Sequence, residues 1–547
     1  MKRLSCLPIL LLFCSSLLAA PDYRQQPFRL PAMTESLVVA DMNGDGLMDL
    51  LAVVDQSIRV YFQTAQGFDF EQQFQQISFD ANAVGWDLSN RFSNNGSTAL
   101  IALLDGRQLL AWEFDGSTPP QPRQIEANLP GFLSRGINRL HFARDINGDQ
   151  ADDLIIPGAG QLHLLINNGD NSFQPPLSIQ SEMRLRSALN NNRFNRSAGQ
   201  AISIAQLELR DVNADGNHDL ISRTEESLDV FLANPGGTAW FPPRASYSLD
   251  IAAIEAQLGE FDIDNLDFSN LTGVLALTHE EILEDVDGDG IEDLLLREGG
   301  KVSLFGGSSD GMNFQQPRQV LRSGGNVLTT FLYDENEDGL KDLWLWRVEP
   351  VSVGDVFVWL ALSGSIAIEA FIYPNDGERF ARRPARRITV DLRFPSVMRL
   401  ANAYEDLNRS TETVAPGDIP PHRLAEVDDD YSAGDLLVLL EQRLDIFLNS
   451  IEPEPEQEDF LGPLGYSRQR DNYEIDIRQI IEDVDIRNNP RLAAVAERSA
   501  DLSIELGSSV SNGDVIPARL NQDNVDDIFV FTGFDASHIR GLLLLSN

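Results

Sequence analysis

Asp285-Val286-Asp287-Gly288-Asp289-Gly290-Ile291-Glu292-Asp293-Leu294 is the stretch from which the fold is read. Four further stretches repeat it: Asp41 to Leu50, Asp145 to Leu154, Asp211 to Leu220 and Asp334 to Leu343. The consensus is D-x-[ND]-x-D-G-x-x-D-L. Positions 1, 3, 5 and 9 carry side-chain oxygens. They are Asp41, Asn43, Asp45 and Asp49; Asp145, Asn147, Asp149 and Asp153; Asp211, Asn213, Asp215 and Asp219; Asp285, Asp287, Asp289 and Asp293; Asp334, Asn336, Asp338 and Asp342. Position 6 is Gly in every copy but one, where Gln150 stands. Gly takes the positive φ that a sharp loop needs. Oxygens on alternate residues of a tight loop wrap a hard cation, and Ca²⁺ suits them best. A single copy would read equally as a polar Asx-turn. Five copies with the same oxygen positions predict about five calcium sites.

Strand-like runs flank each loop. Leu37 to Ala40, Leu207 to Leu209 and Phe331 to Tyr333 precede; Leu50 to Val54, Leu154 to Ile156 and Leu294 to Leu296 follow. A third run starts eight residues after the motif leucine, in the pairs Leu50/Ile58, Leu154/Leu162, Leu220/Leu228 and Leu294/Val302. A constant offset implies a fixed hairpin register. A Gly-rich turn ending in Phe and a fourth strand complete a unit of about 50 residues. Four antiparallel strands cannot bury both faces alone, so such units pack radially as the blades of a β-propeller. Worn copies keep the register: Arg91 to Leu100, the stretch ending Asp435-Leu436, and Arg519 to Ile528. That makes eight copies, with seven blades as the alternative. Asp483 to Leu492 is a doubtful ninth. The last copy stops at its third strand. Residues 22–30 can supply the missing outer strand, closing the ring and removing exposed edges.

The 547 residues carry 84 Asp+Glu against 42 Lys+Arg, a net charge of −42, which disfavours nucleic acid as a partner. Residues 1–20 read as an export signal: Lys2 and Arg3, an apolar run from Leu4 to Leu18, then Ala19-Ala20. Residues 21–547 then form a single propeller domain, placed in the periplasm, at the cell surface or outside the cell. Lipidation at Cys14 is disfavoured by the bulky Phe13 before it. Cys6 and Cys14 are the only cysteines, so a mature chain cut after the signal has no disulfide. Val353 to Tyr373 is apolar but holds Asp355 and Glu369, so it does not read as a membrane span. Loop insertions are expected at about 175–203, 249–275, 348–425 and 451–470. The second contains a short helix, Ile251 to Leu258.

The motif resembles the FG-GAP/VCBS repeat family, whose blades also form the head of integrin alpha subunits. The resemblance covers most of residues 27–547. It implies a β-propeller with Ca²⁺ in inter-strand loops, commonly of seven blades, in exported or surface proteins that bind partners. It also implies a backbone carbonyl ligand at position 7: Leu47, Ala151, Asn217, Ile291 or Leu340. The chain departs from the family at Gln150, and its FG-GAP element is poorly kept. An EF-hand would need a bidentate Glu at position 12 and flanking helices. Position 12 is Ala52, Ile156, Ser222, Leu296 and Leu345, and the flanks are strands.

Other candidates carry less. Gly307-Ser308-Ser309-Asp310-Gly311 matches G-x-S-x-G but falls in the turn between third and fourth strands, not at a strand-to-helix elbow. The six histidines show no zinc spacing. Arg379, Arg382, Arg383, Arg386 and Arg387 form a basic cluster, read as internal pairing or as a patch for an anionic partner. The expectation is an exported calcium-binding propeller that acts as a binding or adhesion module for a protein or glycan. A polysaccharide lyase or hydrolase on the same scaffold, or a cell-envelope assembly scaffold, are the alternatives.

Overall fold

The computed structural model describes residues 23–546, apart from 94–96, 181, 191–194, 204, 260, 263–265, 403, 406–419, 428–431, 453–464, 478–488 and 508–512. The expected export signal therefore lies outside the described residues.

Among the described residues, eight sheets of four antiparallel strands follow one another, the second and sixth each extended by a fifth, parallel strand. Sheet 1 spans Thr34 to Ser78, sheet 2 Ala83 to Glu126, sheet 3 Ala143 to Gln180, sheet 4 Gln206 to Asp250 and sheet 5 His279 to Arg322. Sheet 6 runs from Asn326 to Phe394. Sheet 7 combines His422 to Ile451 with Leu502–Glu505, and sheet 8 combines Asp514 to Ser546 with Tyr23–Pro31. The first strand of the chain pairs antiparallel with the last, from Tyr23↔Ser546 to Pro31↔His538. The N-terminal strand thus supplies the outer strand that the last copy lacks.

The second strand of each sheet shows why the units stack. Asp49–Val54 is buried throughout. Alternate residues of a strand point to opposite faces. Leu50, Ala52 and Val54 join a cluster with Leu520, Phe529 and Leu543 of sheet 8. Leu51 and Val53 join another with Val84, Trp86 and Leu100 of sheet 2. Equivalent clusters join sheets 2 and 3, 3 and 4, 4 and 5, 5 and 6, and 7 and 8. Both faces of sheets 1 to 5 and of sheet 8 are buried by their neighbours, which gives a propeller-like array.

Sheets 6 and 7 meet differently. No apolar cluster among the described residues joins them. Instead, the segment between the third and fourth strands of sheet 7 sends Asn472–Asp476 to pair in parallel with Arg386–Phe394 of sheet 6. Tyr466 and Tyr473 of that segment pack on Trp344 and its cluster.

Several insertions differ from expectation. Residues 175–203, read as a polar loop, contain the last strand of sheet 3 and a hairpin, Glu182–Asn190 with Asn195–Ser203. Polar composition hid it, because a two-stranded ribbon needs no apolar face to pair its backbone. Residues 348–425 were expected to lie outside the blades. They hold the third and fourth strands of sheet 6, Gly364–Tyr373 and Arg386–Phe394, and the first strand of sheet 7, His422–Ala425. A helix, α2 (Val353–Ala361), separates the second and third strands of sheet 6 and breaks the eight-residue offset that marks the hairpin elsewhere. Within 451–470, the sequence continues the third strand of sheet 7 to Ile451, and Tyr466 belongs to the segment that crosses to sheet 6. The helix read at Ile251–Leu258 (α1) is present, capped by Asp250 accepting the Ala253 amide and ended by Gly259 at φ 91°. Most of the doubtful ninth copy lies outside the described residues, and Arg491 and Leu492 at its end are in a helix, Pro490–Val495. Among the described residues no helix is long and apolar enough to cross a membrane.

Candidate metal centres

Each intact motif connects the first and second strands of its sheet: sheets 1, 3, 4, 5 and 6 in order. The loop is built from its own acidic side chains. In all five, Oδ2 of the first Asp accepts the amide of position 6, at 2.8–2.9 Å. In all five, Oδ1 of the aspartate at position 5 accepts the amide of position 7, at 2.7–2.9 Å. These bonds fold the chain so that positions 1, 3 and 5 lie together. In sheet 5, Asp285, Asp287 and Asp289 offer carboxylate oxygens all within 4.8 Å of one another.

The turn requires positive φ at two places. Position 6 is at 87°, 69°, 85°, 88° and 89° for Gly46, Gln150, Gly216, Gly290 and Gly339. Position 4 is as well: Gly44, Gly148, Ala214, Gly288 and Glu337 lie between 60° and 80°. The sequence signals only the first, because position 4 is Gly in just three copies.

Position 9 has a second role. Asp49, Asp153, Asp219, Asp293 and Asp342 are buried. In sheets 1, 3, 4 and 6, Oδ2 accepts the amide of position 2 and Oδ1 an amide at the end of the third strand: Met42 and Gln63 for Asp49, for example, both at 2.9 Å. The aspartate therefore clamps the loop to the third strand. Burial, with the loop's own carboxylates adding to it, pushes Asp49 up to about 7 and Asp153 to about 6. Each carboxylate oxygen keeps a further lone pair, so clamping and ligation are compatible. The donor set is all oxygen, crowded and anionic, which fits a hard divalent cation. Position 7, Leu47, Ala151, Asn217, Ile291 or Leu340, uses its amide inside the loop and keeps its carbonyl outside that bond.

Loops of neighbouring sheets touch. The Met48 amide donates to the Leu520 carbonyl, Thr98 to Asp41, Glu292 to Val212 and Asp526 to Glu426. Asn375 Nδ2 donates to Val286 O at 2.6 Å. The loops therefore run along one rim, in the stretches 7–8–1–2 and 4–5–6. This linkage has no local signal in the sequence, since four of its five bonds join backbone groups and the fifth joins Asn375 to a residue 89 positions away.

The basic cluster is paired internally at its second half. Arg386 bonds Glu335 at 2.5 Å, Asp471 at 2.7 Å and the Arg470 carbonyl at 2.8 Å, tying the crossing segment to sheet 6. Arg387 pairs with Glu369. Gly307 to Gly311 lies between the third and fourth strands of sheet 5, as read, with the Gly307 amide on Asp293.

No protein-family model matches the sequence, and no curated protein matches it. Among solved structures, the chain is similar to a lectin of Agrocybe aegerita that recognises non-reducing terminal N-acetylglucosamine: 16% identity, 66% of this chain, 80% of the other, TM-score 0.25. It is also similar to BBS1N in complex with ARL6DN. One such structure gives 11% identity, 60% of this chain, 94% of the other and TM-score 0.20; another gives 7%, 96%, 97% and 0.22. The architecture above rests on the sheets and their clusters rather than on these likenesses.

Proposed function

We propose that the chain is an exported, calcium-stabilised β-propeller of the FG-GAP/VCBS type, its ring of eight blades closed by the N-terminal strand, and that it works by binding a protein or glycan. The observation that carries the calcium reading is the recurrence, in five loops, of one oxygen pattern folded by the same internal hydrogen bonds. Ca²⁺ would be held by the side chains at positions 1, 3, 5 and 9 and the carbonyl at position 7. It offsets the repulsion among their carboxylates. Because neighbouring loops touch, an ion in one stiffens the next, and the rim becomes a rigid platform.

A binding role draws support from the insertion in sheet 6. Helix α2 and the segment after the sheet expose large apolar side chains, Phe357 at 68%, Leu362 at 62% and Met398 at 66%. Large exposed apolar side chains of this kind are what an interaction surface would use.

The test is unfolding of the mature chain in EDTA and in millimolar CaCl₂, with elemental analysis of the purified protein. Each site adds about 2.7 kcal/mol when calcium is at 100 times its Kd. A calcium-specific rise in Tm, reduced by Asp45→Ala, is the expected outcome. An unchanged Tm with no bound metal would sink the calcium reading. Binding is then assayed on glycan arrays and envelope proteins, with calcium and with EDTA.

A further inference from the structure

The loop of sheet 5 differs from the other four in its third residue. Asp287 stands where they have Asn43, Asn147, Asn213 and Asn336. It also differs in its surroundings. Arg318, one residue before the fourth strand of the same sheet, places Nη1 2.5 Å from Asp287 Oδ2 and Nη2 3.6 Å from Asp293 Oδ1. One guanidinium thus spans positions 3 and 9 of a single loop.

The position-9 side chain itself is distinct. Asp293 is 2% exposed, and no donor meets its Oδ2 with hydrogen-bond geometry, although the Val286 amide still faces the carboxylate. In the other four loops that oxygen accepts the amide of position 2. A buried carboxylate oxygen left without a donor is costly, and a cation would satisfy it.

The room for Arg318 is built in. A Cβ on Gly306 would lie 2.4 Å from Arg318 Nη2. The equivalent residues, each preceding the amide that clamps position 9, are Phe62, Ile166, Leu232 and Pro374. Any of these side chains would occupy the space that the guanidinium fills.

We propose that Arg318 is an internal competitor for the cation of the sheet 5 loop: it takes up the charge that Asp287 adds and holds this site at lower affinity than its donor set would give. The inference rests on the calcium reading. Guanidinium and Ca²⁺ both require the Asp287 carboxylate, and a fixed positive charge beside the site opposes a second. Ion binding therefore draws Asp287 from Arg318 and frees the start of the fourth strand. Release of the ion restores the pair. The sheet 5 loop is then the exchangeable member of the set.

The experiment is calorimetric titration of the full mature chain with CaCl₂, for the wild type, Arg318→Gln, Asp287→Asn and the double variant. The expected result is that Arg318→Gln tightens one site about tenfold, the scale of a lost charge-assisted hydrogen bond, with smaller changes at the other sites. In the Asp287→Asn background the same substitution should give no gain. Calcium uptake that is identical in wild type and Arg318→Gln, or weaker in the variant, would overturn the inference and leave the calcium reading standing. No uptake by any of the four chains would overturn both.

Discussion

Asp527 Oδ1 accepts both the amide and the hydroxyl of Ser546, at 2.8 and 2.9 Å, across nineteen residues of chain. Its Oδ2 accepts the Leu520 amide at 2.9 Å. Asp527 is the position-9 residue of a copy whose first aspartate is replaced by Arg519. Asp435, in sheet 7, holds the Val427 and Asn449 amides in the same way, at 2.5 and 2.8 Å. The clamp has outlasted the ligand pattern, so it has a structural role of its own.

That separation is measurable. Asp527→Ala leaves two buried amides without acceptors and should cost about 3 kcal/mol, at roughly 1–3 kcal/mol for each group. The loss should be the same in EDTA and in calcium. Asp289→Ala, on an exposed ligand position, loses the bond from the Ile291 amide in either condition and should destabilise more in calcium than in EDTA. Urea unfolding of both variants under the two conditions gives the comparison. A calcium-dependent cost for Asp527→Ala would mean that the clamp is a ligand as well.

The N-terminal strand should be integral to stability rather than a tail. Phe28 is 2% exposed and packs on Phe70, Phe529 and Phe531. Phe28→Ala removes an aromatic ring from a core joining sheets 8 and 1, and should cost about 3–5 kcal/mol. Deleting residues 23–31 should leave His538–Ser546 as an open edge and promote association between chains. Denaturation and light scattering read the two effects. A deletion that remains monomeric and stable would show that the strand pairing is dispensable.

The loop backbone gives a stabilising substitution. Gln150 is held at φ 69°, where a side chain costs roughly 1–2 kcal/mol, while Gly loses part of that benefit through its greater freedom when unfolded. Gln150→Gly should therefore gain about 0.5–1 kcal/mol. Gly46→Ala, at φ 87°, should lose about 1 kcal/mol or more. Chemical denaturation in EDTA isolates the backbone effect from the ion. Equal stability of Gln150→Gly and the wild type would mean that the glutamine side chain compensates through a contact of its own.

How far the sequence could be read follows from which interactions set each feature. The strand-loop-strand unit was legible because the motif leucine and the third strand keep a fixed offset, and because Leu50 to Val54 must be buried on two sides. The oxygen positions of each loop were legible for the same reason, being side chains at fixed spacing. Sheet 6 was not, since α2 interrupts its hairpin and places Tyr373, the cross-strand partner of Leu343, thirty residues further along the sequence. The crossing strand Asn472–Asp476 was hidden because it pairs with a distant partner through backbone groups. The contact of Arg318 with Asp287 joins residues 31 apart, which no local pattern reports.

A final prediction concerns pH and lies away from the loops. His163, in the third strand of sheet 3, is 6% exposed, and its Nδ1 is 3.0 Å from Ser178 Oγ on the adjacent strand. A Cβ on Gly158 would lie 2.5 Å from its Nε2, so the ring fills a space kept open by that glycine. Burial disfavours the charged imidazolium and holds its pKa below the ordinary 6.5. The unfolded chain accordingly takes up this proton first as pH falls. Stability from the buried neutral ring is complete above about pH 6.5, and is lost as pH descends through that value toward the folded pKa. Many carboxylates also titrate in so acidic a chain, so the informative quantity is a difference. His163→Asn should lower stability near neutral pH while making the decline between about pH 7 and pH 5.5 shallower than in the wild type. Parallel slopes for the two proteins would show that His163 takes its proton as readily in the folded sheet as in the unfolded chain.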